Sequence, residues 1–413
     1  MSGIEHIDGS WHVDGLPLNE LALEHGTPLY VYSRNQLEKN WQAFDEAFAN
    51  VPHRVCYAVK ANSNLAVLSV LAKLGSSFDI VSGGELKRVL AAGASADRVV
   101  FSGVGKTAEE MSEALDAGIL CFNIESVAES ERLAEVAKAN GVIAPVSFRI
   151  NPDVDAQTHP YISTGLKENK FGISMEEAPE AYRNAAAHPN LSVCGIDCHI
   201  GSQLTSVAPY KAAFERMLAM VDRLSNEGIA LHHIDFGGGQ GIQYNDETAL
   251  DITEFAQAAI TAVGARKLEI WMEPGRAIAG TAGVLVTKVE YLKENSEKAF
   301  AVVDGAMNDL IRPALYSAWQ PIVAVQDQAR EARTYDVVGP VCESADFLGK
   351  DRSLAIAAGD YLAVLASGAY AFVMSSNYNT RARAAELMIS EGKAHVVRQR
   401  ERIDSLFELE SVI

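Results

Sequence analysis

The segment Arg54-Val55-Cys56-Tyr57-Ala58-Val59-Lys60-Ala61-Asn62 reads as an apolar strand that delivers a lysine at its C-terminal end. Similar short, β-branched runs recur at 78–81, 98–102, 119–124, 146–150, 193–200, 233–236 and 269–273, which with 54–59 gives eight strands. Helical patterns separate them, and several have readable starts. Thr107-Ala108-Glu109-Glu110, Ser126-Val127-Ala128-Glu129 and Ser174-Met175-Glu176-Glu177 have the spacing of a capping box, where hydroxyl and carboxylate satisfy orphan amides reciprocally. Ser33-Arg34-Asn35-Gln36 opens a helix ahead of the first strand, and Gly75, Gly93, Gly118, Gly141 and Gly228 stand where helices should stop.

Eight strands with crossover helices imply a parallel sheet, and eight is the number that closes into a (β/α)8 TIM barrel. An open, doubly wound sheet is the alternative. The polar residues favour the barrel. Lys60, Asp79, Ser102, Asn151, His199, Gly237 and Glu273 all lie at or just past the C-terminal ends of their strands. A barrel gathers those ends at one mouth, whereas an open sheet strings them along an edge. After Gly280 the helical pattern fades into runs at 284–291, 299–303, 322–325, 335–338, 361–365 and 395–399, separated by Gly, Asp and Asn turns. This predicts a C-terminal antiparallel β domain, joined by the extended stretch 4–13. The expected division is a barrel over 31–280 and a β domain from 1–30 and 281–413.

Composition narrows the function. The 413 residues carry 35 Lys and Arg against 54 Asp and Glu, a net charge of −19, which disfavours nucleic-acid and anionic-membrane surfaces. The most apolar window, 361–374, is too short and too interrupted to span a bilayer. Five cysteines (Cys56, Cys121, Cys194, Cys198 and Cys342) form no CxxC pair, and no Cys/His pair at finger spacing follows Cys194 and Cys198. No metal site is therefore expected, and reduced thiols fit a cytoplasmic setting. Met1-Ser2-Gly3-Ile4-Glu5 shows neither a basic start nor an apolar stretch, so no secretory signal is expected.

Three segments carry chemistry. A desolvated strand-end amine such as Lys60 can attack a carbonyl and form a Schiff base, although a lysine merely reaching for water looks the same in isolation. Asp235-Phe236-Gly237-Gly238-Gly239-Gln240-Gly241 ends the seventh strand with bare backbone that can wrap a phosphate; a tight turn is the plainer reading. Glu273-Pro274-Gly275-Arg276 ends the eighth with a carboxylate and a guanidinium able to grip an oxyanion. An amine for an aldehyde, a phosphate cradle and an acid for a ring nitrogen are together what pyridoxal phosphate requires. His199, in Cys198-His199-Ile200-Gly201-Ser202-Gln203, can bring an imidazole against such a ring.

In ordered blocks from end to end, the chain resembles the barrel-plus-β-domain family of pyridoxal-phosphate decarboxylases and alanine racemases. The blocks are YAVKAN at 57–62, FDIVSGGEL at 78–86, HPYISTG and KFGI within 159–173, HIGSQ at 199–203, FGGGQG at 236–241, EPGR at 273–276, RPALY at 312–316, CESAD at 342–346 and GAY at 368–370. Gln240 stands where an apolar residue is expected. Within the family the likeness is to the branch acting on diaminopimelate. It implies pyridoxal 5'-phosphate as cofactor and decarboxylation of meso-2,6-diaminopimelate to L-lysine and carbon dioxide. Lys60 is implied to carry the cofactor, His199 to lie against its ring and Glu273 to meet the pyridine nitrogen. Ser202, Gly238, Gly239, Gly275, Arg276 and Tyr370 are implied around the phosphate. Arg276, Arg312, Tyr316, Glu343 and Tyr370 are implied at the substrate, with Cys342 and Glu343 entering from the other subunit of a homodimer.

Charge separates the candidate reactions. Diaminopimelate presents a carboxylate and an amine at its distal end; Arg276 and Arg312 offer forks for the first, Glu343 a partner for the second. Related ornithine and arginine decarboxylases read Cys-Asp where this chain reads Cys342-Glu343, and two arginines would repel ornithine. An amino-acid racemase does better with a weaker electron sink than the Glu273 pairing supplies. A non-catalytic cofactor-binding barrel has no use for the CESAD segment. Either Cys342 or Lys60 can supply the closing proton.

Overall fold

The computed structural model describes residues 3–154 and 170–413. The HPYISTG block lies outside the described residues. The chain divides into two compact units: Asn40–Ile242 with Thr248–Ala277, and Met1–Lys39 with Gln243–Glu247 and Ile278–Ile413.

The first unit is a closed parallel barrel. Its strands are β1 (His53–Ala58), β2 (Ser77–Ile80), β3 (Val99–Phe101), β4 (Cys121–Ile124), β5 (Ala144–Asn151), β6 (Leu191–Asp197), β7 (His233–Asp235) and β8 (Glu269–Met272). Each pairs with the next, and β8 closes on β1 through Ile270–His53, Trp271–Arg54 and Met272–Val55. All eight sequence runs are strands of this barrel, which settles the choice against an open sheet. Helices Leu65–Leu74, Gly83–Ala91, Ala108–Ala117, Val127–Ala139, Ala178–Ala187, Ala208–Asn226 and Ile252–Val263 return the chain between strands. Aromatic rings tie the last two helices together and to the sheet: Tyr210 meets Phe255 of the neighbouring helix at 4.9 Å, and Phe214 meets Phe236, just past β7, at 4.1 Å.

The capping boxes fare differently. Thr107 and Glu110 form a complete box. Ser126 accepts the Glu129 amide, but the Glu129 carboxylate turns instead to the Lys106 ammonium at 2.6 Å and the Glu125 amide at 3.0 Å. A buried cation is the stronger partner for that carboxylate. The Ser174–Glu177 bonds form, yet the helix begins only at Ala178, so they close a turn ahead of it.

The second unit is built on a mostly antiparallel sheet. Gly283–Glu294 is its long central strand, flanked by Leu29–Ser33 and Ala299–Val303 and by Tyr361–Val364, which also pairs Ile322–Ala324. Arg333–Val338 and Phe347–Leu354 extend one edge; Ala385–Ser390 and Lys393–Arg398 extend the other. Two pairings are parallel, Ala299–Val303 with Arg333–Val338 and Ala385–Ser390 with Leu29–Ser33. The stretch 4–13 is a hairpin, Ile4–Ile7 against Ser10–Val13, which turns at Asp8 and Gly9 with positive φ. Val13, Leu18, Leu29, Val31, Val284, Val286, Leu387 and Ile389 share the core.

Lys106 is the most demanding buried charge of the barrel. Its side chain is 1 % exposed, and its ammonium also donates to the Gly103 and Asn123 carbonyls, tying the ends of β3 and β4 together. Lys106→Met should cost about 3–5 kcal/mol, because the Glu129 carboxylate is left buried without its cation. The double change Lys106→Met with Glu129→Leu should recover most of the loss. Urea midpoints decide; equal losses in both variants would show that the pair is not what holds these strand ends.

Candidate active site

The C-terminal ends of the barrel strands hold an unusual density of charge. After β1 the chain tightens into a 3-10 turn, Val59–Ala61, which presents Lys60. Its ammonium lies 2.8 Å from Oδ2 of Asp79, a fully buried residue of β2, while the lysine side chain stays 36 % exposed. One partner is fixed, and the amine remains reachable.

Beside this pair sits a cluster of acids. Asp197 ends β6, Asp235 ends β7 and Glu273 follows β8, and one oxygen from each lies within 4.8 Å of the others. Burial, followed by the charges of Asp79 and Asp235, pushes the Glu273 carboxyl well above the usual carboxylate range. Burial and then Asp235 do the same to Asp197. Burial raises Asp235 to about 7 despite the hydrogen bond it accepts from the Gly237 amide. Adjacent carboxyls in a low dielectric cannot all ionise, so the cluster holds protons near neutrality. Arg149 is the nearby guanidinium, hydrogen-bonded to Glu125 at 3.0 Å. Asn123 donates to Glu273 at 3.3 Å and to the Ser102 hydroxyl at 3.2 Å, its backbone fixed by the Lys106 contact described above.

The glycine segment follows directly on Asp235, at the same strand ends. Nδ1 of His199 accepts the Gly238 amide at 3.0 Å. The proton of a neutral imidazole must then sit on Nε2. Burial, with the Arg149 and Lys60 charges, pulls the His199 pKa well below its ordinary value, so the ring is neutral. A Cβ on Gly239, whose φ is +94°, would stand 2.2 Å from the Gly201 carbonyl oxygen, and one on Gly238 would stand 2.2 Å from that of Glu273. Only bare backbone permits the loops after β6, β7 and β8 to approach so closely. Gln203 clamps the same loops, donating to the Ile242 carbonyl at 2.6 Å and accepting the Ile242 amide at 3.3 Å. Arg276, 7 % exposed, donates to Ser202 Oγ at 3.1 Å. Gln240 is buried, its side-chain amide 3.5 Å from the Gly237 carbonyl.

The remaining expected residues belong to the second unit. Arg312 and Tyr316 bound a short helix, and the buried Arg312 guanidinium lies 4.7 Å from the Tyr244 ring centroid. Tyr370 has a φ of +53°, just after Gly368. Cys342 and Glu343 are exposed; the Cys342 amide donates to Asn379 Oδ1 at 3.0 Å, and Glu343 accepts the Tyr378 hydroxyl. The sequence reading brought out Asp79 and Ser102 by position. Asn123 and Arg149, within apolar strands, Asp197, at the end of one, and Tyr244, in a connecting turn, carry no such signal. Cys194 also finds a neighbour other than Cys198: its sulfur lies 3.5 Å from that of Cys121, two strands away.

The chain is similar to known proteins of one family. The family described as "Pyridoxal-dependent decarboxylase, pyridoxal binding domain" matches residues 34–280. A diaminopimelate decarboxylase of Vibrio cholerae is 59 % identical over 407 residues, covering 98 % of each chain. The crystal structure of diaminopimelate decarboxylase from Helicobacter pylori complexed with L-lysine is 42 % identical with a TM-score of 0.92, covering 95 % of this chain and 98 % of that one. Its counterpart from M. jannaschii in co-complex with L-lysine is 38 % identical with a TM-score of 0.95, covering 100 % and 98 %.

Because folding raises the Asp235 pKa from its unfolded value of about 3.9 to about 7, the wild type loses stability as pH rises between those values. Asp235→Asn removes this loss and keeps the acceptor for the Gly237 amide. The variant should therefore gain on the wild type between about pH 4.5 and about pH 8, measured as urea midpoints of cofactor-free protein. A constant difference across that range would show that Asp235 ionises freely.

Proposed function

The chain belongs to the diaminopimelate decarboxylases, within the pyridoxal-dependent decarboxylases, and from this premise we propose how its residues turn meso-2,6-diaminopimelate into L-lysine and carbon dioxide. The observation that carries the proposal is the Lys60–Asp79 pair standing beside the protonated acid cluster of Glu273 at one barrel mouth.

The residues present fit pyridoxal phosphate. Lys60 offers an accessible amine for its aldehyde. The Gly239 and Gly275 amides donate to no described acceptor, which suits them to phosphate oxygens together with Ser202, Arg276 and Tyr370, while the Gly238 amide fixes the loop on His199. When bound, the group supplies an electron sink for the bond to the departing carboxylate. Asp79 holds the Lys60 amine in place by accepting its hydrogen bond across 2.8 Å. Glu273, whose carboxyl accepts a hydrogen bond from Asn123, would meet the ring nitrogen. A cation there would favour the carboxylate form of Glu273. His199 presents an uncharged ring face, so no positive charge opposes the cationic ring.

Substrate recognition falls to Arg276, Arg312, Tyr316, Glu343 and Tyr370. Arg312, desolvated and always charged, suits the distal carboxylate bidentately; Glu343 suits the distal ammonium. Exposure of Cys342 and Glu343 on their own unit supports their service to the site of a second copy in a homodimer. Protonation at the α-carbon then falls to Cys342 across that interface or to Lys60 within the chain. No helix among the described residues is long and apolar enough to cross a membrane, and the five cysteines are unpaired, which supports a reducing cytoplasmic setting.

Purified protein supplied with pyridoxal phosphate should release carbon dioxide and lysine from diaminopimelate in the presence of ornithine, arginine or carboxynorspermidine as competitors. Gas released from ornithine in preference would overturn the substrate assignment. Arg312→Ala should raise the KM for diaminopimelate by the worth of a charged contact, about 1.5–3 kcal/mol, while cofactor affinity holds. Equal losses in both would make Arg312 structural. Lys60→Ala and Cys342→Ala subunits, each inactive alone, should regain activity when mixed. A verified heterodimer without activity would end the shared-site proposal.

A further inference from the structure

Tyr244 belongs by sequence to the connection between β7 and helix Ile252–Val263, yet the segment Gln243–Glu247 packs with the second unit. Its ring is 6 % exposed and lies 4.7 Å under the Arg312 guanidinium, which is itself 7 % exposed. A guanidinium over an aromatic face is held electrostatically by the ring quadrupole, and more strongly where water is excluded. The turn carrying the ring is also clamped: the two carboxylate oxygens of Glu247 accept the Tyr244 amide at 3.0 Å and the Asn245 amide at 2.9 Å. Those amides hold the Glu247 carboxyl below its ordinary range even against partial burial.

We propose that Tyr244 is a specificity-positioning residue, a fixed aromatic platform that sets the plane of the Arg312 fork for the distal carboxylate of the substrate. The inference rests on the assignment of Arg312 to that carboxylate. A bidentate contact tolerates little rotation of the guanidinium plane. A flat ring beneath it opposes that rotation by contacting the face of the guanidinium, while its donors point from the edge. Arginines placed without such a platform pay for ordering each time substrate binds. A substrate lacking the distal carboxylate gains nothing from the platform, so Tyr244 discriminates between a diamino diacid and a simple diamino acid.

The test is steady-state kinetics of the holoenzyme with diaminopimelate. Tyr244→Leu should raise KM about five- to thirtyfold with kcat within about twofold and cofactor affinity unchanged. Tyr244→Phe keeps the ring face and should stay near the wild type. Should the leucine variant fail to fold, phenylalanines carrying one to three ring fluorines at position 244 weaken the quadrupole without changing shape, and KM should climb with each fluorine. The double variant Arg312→Ala with Tyr244→Leu should be no worse than Arg312→Ala alone, since the ring acts through the guanidinium. If Arg312→Ala leaves KM unchanged, the assignment of Arg312 fails and the platform with it. If Arg312→Ala raises KM but Tyr244→Leu and the fluorinated series do not, the platform alone is overturned. Additive losses in the double variant overturn it as well.

Discussion

Four carboxyl groups, Asp79, Asp197, Asp235 and Glu273, are buried where the barrel strands end, and Lys60 and Arg149 are the cations that face them. An uncompensated carboxylate in such a place costs several kcal/mol, so the cluster must hold protons or acquire positive charge. Much else follows from that constraint. Lys60 is kept beside Asp79, the Glu273 carboxyl is kept protonated until a cation arrives, and His199 is kept neutral by burial and the neighbouring cations. A cofactor with a basic ring nitrogen would supply such a charge.

The barrel can impose this only because it closes. Pairing of β8 with β1 sets Glu273 near Lys60, although 213 positions separate them in sequence (273 − 60). Glycines at 238 and 239 then let three loops meet backbone to backbone. The second unit contributes a different kind of order. There the buried Arg312 guanidinium is held 4.7 Å from the centroid of the Tyr244 ring.

The barrel was legible because each of its strands is a short apolar run bounded by turn residues, and the functional groups punctuate their ends. The β unit was less so. Leu29–Ser33 reads Leu-Tyr-Val-Tyr-Ser and merges into the start of the following helix; Phe347–Leu354 carries Lys350, Asp351 and Arg352 in its middle; Ala385–Ser390 has no alternation to mark it. Strands with charge on one face and a long partner across are recognised by pairing, which a linear reading does not contain. The parallel pairings within that sheet were hidden for the same reason. At the site, Lys60, His199, Glu273 and the glycines were visible as motifs. Asp197 and Arg149 were not, because a charged residue in an apolar strand declares itself only when its partners on the neighbouring strands are known. Tyr244 lay in a turn whose sequence gives no sign of the unit it joins.

Lys60 is the amine on which the cofactor is expected. Reduction of the holoenzyme with borohydride, followed by proteolysis and mass spectrometry, should place the pyridoxyl group on Lys60 alone. A label on Lys106 or any other lysine, or no label on a catalytically active protein, would contradict it.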